Sequence, residues 1–177
     1  MDIRFAPTFA TPLAAVVAAI GFAASAPASA GTAEITWHDP QKYADAGAGD
    51  RERQDNLRIL TGYLQSLAAK NLPEGQQLRL EVLDLDLAGT VEPSRRTALE
   101  HRVVRGMADW PSMTVPYELR DAAGAVLRSG EERLKDLNYT HNLRQAGARN
   151  TDLYYEKYML DHWFRERFGP QKQAANR

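Results

Sequence analysis

The stretch Gln77–Gly89, QLRLEVLDLDLAG, changes phase in its middle. Leu78, Leu80 and Val82 share one parity, and Leu83, Leu85 and Leu87 share the other. A strand sends successive side chains to opposite faces, so no regular strand buries both triplets on one side. Two solutions exist. The strand is central and covered on both faces for part of its length, or a bulge near Val82-Leu83 resets the register. In either case Asp84 and Asp86 point the same way, opposite the three later leucines.

The flanking segments supply the rest of a core. AEITW (Ala33–Trp37) alternates as a short strand, with Ile35 and Trp37 on one face. Residues 41–49, rich in alanine and glycine, read as a loop, and Asp50 offers an N-cap for a helix. Within that helix Leu57, Leu60, Leu64 and Leu67 form one stripe. Leu72-Pro73 ends it, because proline disfavours helix at the residue before it. Thr90–Glu100 is polar and reads as irregular, while HRVVRGM suggests a short strand edge. From Ser112 to Asp136 two alternating runs flank Asp121–Gly124, which predicts a hairpin. Pro116 lacks a ladder donor, so its strand belongs at an edge or carries a bulge there. Asn138–Arg149 reads as a loop. A last helix is expected from about Asp152 to Phe168, with Gly169-Pro170 as its stop. The order β-α-β-β-β-α predicts an α+β two-layer sandwich: an antiparallel-rich sheet of about four strands with two helices on one face.

The first thirty residues differ in character from the rest of the chain. Arg4 precedes an apolar run from about Leu13 to Ala24, and Ala28-Ser29-Ala30 offers small residues where a signal peptidase cuts. Residues 1–30 therefore read as a secretory signal, 31–169 as a single domain and 170–177 as a flexible tail. The apolar run is shorter than the roughly 20 residues that span a bilayer, so no stable membrane anchor is expected after cleavage. The expected location is the periplasm. With 22 basic against 23 acidic residues the formal charge is −1, which argues against nucleic acid as the main partner. No cysteine is present, so the domain must stand on its apolar core without disulfides.

Several segments, in order, resemble a known family: TWHDPQKYAD, LEVLDLDLAG, RVVRGMADWP, EERLKDLNY and YEKYMLDHWFRERFG. Together they are similar to a family of small exported proteobacterial proteins described only as domain of unknown function 3016. The resemblance covers essentially all of the chain past the leader, and it implies an envelope location with no activity and no catalytic residue to carry over. The order of elements alone is also similar to small envelope accessory domains, such as the amino-terminal domain of the translocation protein TolB.

Candidate chemistry is sparse. Asp84 and Asp86 would hold their β-carbons about 6.5–7 Å apart on one strand face, within reach of a shared divalent cation, with His38 as a further ligand. The ordinary account is a solvated face, or pairing with Arg102 or Arg105; Asp136 completes this candidate polar site. His38, His101, His141 and His162 show no paired-ligand spacing, so neither zinc nor any other cofactor is expected. No nucleophile motif and no phosphate-cradling loop stands out. The terminal helix is the better candidate for a partner surface, through Tyr155, Tyr158, Met159, His162, Trp163 and Arg165; the competing account places most of these rings in the core. The leading expectation is a non-catalytic binding or accessory domain of the envelope that recognises another envelope protein or a cell-wall component. A metal-binding protein or metal-dependent hydrolase built on Asp84 and Asp86 is the alternative, and a homodimer through the terminal helix is a third.

Overall fold

The computed structural model describes residues 30–93, 100–106, 108–141 and 152–169. The predicted leader, apart from Ala30, and the tail 170–177 lie outside the described residues.

The elements run β1 (Thr32–Trp37), a short 3-10 turn (Pro40–Lys42), α1 (Asp50–Asn71), β2 (Gln77–Val82), β3 (Asp84–Asp86), β4 (Thr90–Pro93), β5 (Glu100–Val103), β6 (Ser112–Arg120), β7 (Val126–Lys135) and α2 (Tyr154–Arg167). The fold is the expected α+β sandwich. β1 lies parallel to β2, and β6 lies antiparallel to β2, β3 and β7. The parallel pair follows from α1, which carries the chain back between the two strands.

The phase change is resolved by the bulge. Leu80 stands opposite Tyr117, yet Asp84 stands opposite Thr114, so the β2–β3 side carries one extra residue. Leu83 donates its N–H to Thr114 O at 3.0 Å, and its side chain is left exposed. The shift returns Leu85 and Leu87 to the face already used by Leu78, Leu80 and Val82, and all five are buried. Pro116 falls where the β2–β6 pairing lapses, inside a strand with neighbours on both edges. Of the two placements expected for it, the bulge is the one found.

Both helices cover that buried face. From α1 come Leu60, Leu64, Leu67 and Ala68; from α2 come Met159, Leu160, Trp163 and Phe164. α1 starts at Asp50 itself with Gly49 as N-cap, one residue earlier than expected, and Glu52 accepts the Ala48 N–H at 2.9 Å. Under α2 the Tyr117, Trp163 and Phe168 rings meet edge to face, Tyr117 and Phe168 at 5.6 Å. Gly130 makes room for them: a β-carbon there would lie 3.2 Å from the Tyr117 ring. The opposite sheet face, with Glu34, Arg79, Glu81, Glu118 and Arg120, carries no helix among the described residues.

The expected strand edge at residues 101–103 is present, and its partner, Thr90–Pro93, comes from the segment read as irregular. Thr90–Pro93 and Glu100–Val103 form a separate antiparallel pair, although residues 94–99 between them lie outside the described residues. The loop after β1 is also more regular than its composition suggests. Asp45 donates its N–H to Leu85 O and accepts from Leu87 N, both at 3.0 Å, so a single parallel bridge pins the loop alongside β3.

Candidate functional site

Asp84 and Asp86 share the outward side of β3, as strand geometry requires, and both are half-buried. Asp84 accepts the Ala44 N–H at 2.9 Å. It thereby fixes the loop that follows β1. Burial pushes Asp86 above the ordinary carboxylate range; the neighbouring Asp45 and Asp84 push the same way, and Arg102 and Lys135 oppose them.

The nearby cation does not pair with either strand aspartate. Arg102, on β5, forks onto Asp45, with Nη1 to Oδ2 at 2.7 Å and Nη2 to Oδ1 at 3.1 Å. Its Nη1 also reaches the carbonyls of Ala88 and Gly89. Both charged side chains are largely covered, with 23% and 21% of their surface exposed. Arg105 pairs with Glu92 across the hairpin at 2.5 Å. Asp136 accepts the Asn138 N–H in a local turn. His38 lies 3.5 Å from Glu81 and approaches neither aspartate closely enough for a hydrogen bond. The expected set is therefore dispersed, and among the described residues no group of three or more His, Asp or Glu side chains converges to hold a metal ion.

A residue that the sequence does not mark completes the corner. Glu156, in the first turn of α2, is 2% exposed, and its Oε1 accepts the Ala88 N–H at 2.7 Å. Burial raises its proton affinity, while the Ala88 hydrogen bond and the Arg102 charge pull the other way. Beside it Tyr139 donates to Asp109 at 2.6 Å and accepts from the Gly106 N–H at 3.1 Å, and burial pushes its phenol up to about 12. Its ring stands edge-on to Tyr155, 4.9 Å away. These bonds tie β5, the loop after β1, the end of β3 and α2 into one corner. Only helical position marks Glu156 in the sequence, four residues before the buried Leu160.

The terminal helix divides its expected surface. Met159 and Trp163 belong to the core, and Trp163 Nε1 donates to Glu132 at 2.8 Å. Tyr155 and Tyr158 are half-buried; Tyr155 meets Tyr139 and Tyr154 edge to face, and Tyr158 lies tilted against Tyr154. His162 and Arg165 are exposed; His162 lies 3.6 Å from Glu166, and Arg165 donates to Asp161 O.

The molecule is thus a helix-backed sheet with a polar face that carries no helix among the described residues, and one largely covered ionic corner. Residues 31–166 match the DUF3016 family, described as proteins of unknown function, and the chain belongs to that family. No curated protein and no solved structure matches it.

Proposed function

We propose that this is an exported envelope protein that works in the periplasm, after loss of its leader, as a non-catalytic binding domain for another envelope protein or a cell-wall component. The observation that carries the binding reading is the one-sided architecture. Both helices sit on one face of the sheet, and the other face presents Arg79, Glu81, Glu118 and Arg120 around Pro116. Export is supported by the leader pattern, whose cleavage point after Ala30 coincides with the start of the family match at residue 31 and leaves one residue before β1. Asp84 and Asp136 accept backbone N–H groups, and Arg102 is held by Asp45, which suits a structural role for these side chains.

The absence of cysteine allows a direct test. Expressed from its full reading frame, the protein should appear in the periplasmic fraction with Gly31 as its first residue. Single Glu81→Cys and Glu118→Cys variants carrying a photo-crosslinker should capture one defined envelope component, while a label at Arg51 on α1 should not. A cytoplasmic fraction with intact leader would defeat the location, and equal capture from both faces would defeat the binding surface.

A further inference from the structure

The two helices end side by side, and a cleft of about 550 Å³ opens between their last turns and the sheet. That size lies within the roughly 300–1,000 Å³ of small-ligand sites. Its apolar wall is Leu72, Leu119 and Phe168, and three cations from three different elements stand around it: Lys70, Arg128 and Arg167. Among the described residues no acidic side chain lines it. Arg167 pairs with Glu132 outside the cleft, and Arg128 donates to the carbonyl of Arg167. Lys70 has no ion-pair partner among the described residues. Gln76 also lines the cleft.

Helix carboxyl ends attract cations in their own right, so the three basic residues need a further argument. Several carbonyls of the two last turns are already bonded by other groups. Leu72 N–H binds Ala68 O, Asn71 Nδ2 binds Leu67 O, and the N–H groups of Phe168 and Gly169 both bind Phe164 O. Each guanidinium carries five N–H donors, so Arg128 and Arg167 keep donors beyond the Arg167 carbonyl and Glu132, and Lys70 has no ion-pair partner among the described residues, all beside an apolar wall. We propose that this cleft takes the free α-carboxylate of a peptide whose last side chain is apolar. The carboxylate would lie among Lys70, Arg128 and Arg167, the last side chain against Leu72, Leu119 and Phe168, and the preceding peptide group on Gln76. The residues that come after Gly169 in this chain bring two more cations, Lys172 and Arg177, so they match the cleft poorly. The proposal gives the binding reading above a second site and a ligand chemistry, and it rests on that reading only for its biological setting.

The test uses the purified protein and three probes: N-acetyl-Ala-Ala-Phe, its carboxamide, and inorganic phosphate, followed by amide chemical shifts and calorimetry. The free acid should bind and shift the amides of Leu119 and Phe168. The carboxamide should bind about tenfold more weakly or worse, as expected when a charged hydrogen-bond partner is lost, and phosphate should leave the apolar wall unmoved. Arg128→Glu should remove binding with an unchanged circular dichroism spectrum; should it fail to fold, Lys70→Ala on the exposed rim should weaken binding several-fold. Equal affinity for acid and carboxamide overturns the proposal. So does an Arg128→Glu protein that melts earlier yet binds as before, because the cations then serve only the helix ends. A chain stopped after Gly169 that shifts these same amides without peptide would assign the cleft to the protein's own tail and also overturn it. These solution results stand apart from the fractionation and capture experiments, so either reading can fail alone.

Discussion

The body of the sandwich and its ionic corner are held by different forces. In the body, Leu60, Leu64, Leu80, Leu85, Leu160 and Phe164 have 1% or less of their surface exposed, and stability comes from apolar area removed from water. At the corner, a pair of short strands with little buried apolar surface is fastened by the Arg102–Asp45 fork, and Glu156 holds the Ala88 N–H just ahead of them. Apolar burial is non-directional and spread over many neighbours. A charge-assisted fork is directional, and removing one member leaves its buried partner uncompensated. The body should therefore fail as a unit and the corner should fail locally.

The largest effect is expected in the body. Phe164→Ala deletes a fully buried ring that meets Trp163 and Phe168. It should cost about 4 kcal/mol, measured by chemical denaturation, with one transition and all core amides losing protection together. A cost under 1 kcal/mol would show that the terminal helix is only loosely applied to the sheet. Asp45→Ala comes next. It strands the Arg102 guanidinium and should cost about 2–3 kcal/mol, below the full penalty for a buried pair because both side chains keep some exposure. Hydrogen exchange should separate the two regions, with amides of β4 and β5 exchanging faster while those of β2 and β6 stay protected. If every amide loosened equally, the corner would be part of the body and the distinction would fall.

Protonation sharpens the same contrast. The folded protein raises Glu156 above its ordinary value of 4.5, chiefly by burial. A raised pKa means that the folded state holds the proton more tightly than the unfolded chain. The corresponding stability is fully present below the unfolded value and is lost as pH rises through the folded one. Asp86 is shifted in the same direction, so the corner carries two such groups. Glu156→Gln keeps an acceptor for the Ala88 N–H and removes the charge. Its melting temperature should fall less than the parent's as pH rises above 4.5, and once the parent's carboxyl is ionised it should equal or exceed the parent's. A variant with the parent's full pH slope would assign the dependence to other groups.

The body was legible because apolar periodicity reports apolar burial. The Leu57–Leu67 stripe, the Asp121–Gly124 turn and the phase change at Val82-Leu83 each reappear as built features. The corner was not legible, because ion pairing leaves no period in a sequence. The short strand edge that carries Arg102 was readable, but the side chain's partner was not: that partner is Asp45, fifty-seven residues away, rather than the more conspicuous Asp84 or Asp86. Glu156, flanked by Tyr155 and Lys157, has the composition of a solvated helix face, and only the packing of α2 onto the end of β3 buries it. Met159 and Trp163 illustrate the converse: their helical spacing suits a partner surface and a core equally, and the sheet underneath decides.

The smallest effect tests why the bulge exists. Two features coincide there, the change in leucine parity and Pro116, and each is sufficient to interrupt a ladder. Pro116→Ala supplies an N–H where the β2–β6 pairing lapses. The added hydrogen bond, about 0.5–1.5 kcal/mol, opposes the greater freedom of the unfolded chain on losing proline, about 0.4–1 kcal/mol. The net change should lie within about 1 kcal/mol of zero. If parity is the cause, the bulge must survive, because a regular register would turn Leu85 and Leu87 to the open face and Asp84 and Asp86 against the helices. The cost of that exchange exceeds anything one ladder bond returns. Nuclear Overhauser contacts pairing Leu85 with Met113 and Asp84 with Thr114 should therefore persist in Pro116→Ala. Their replacement by contacts shifted one residue would make the proline, and not the leucine pattern, the origin of the register.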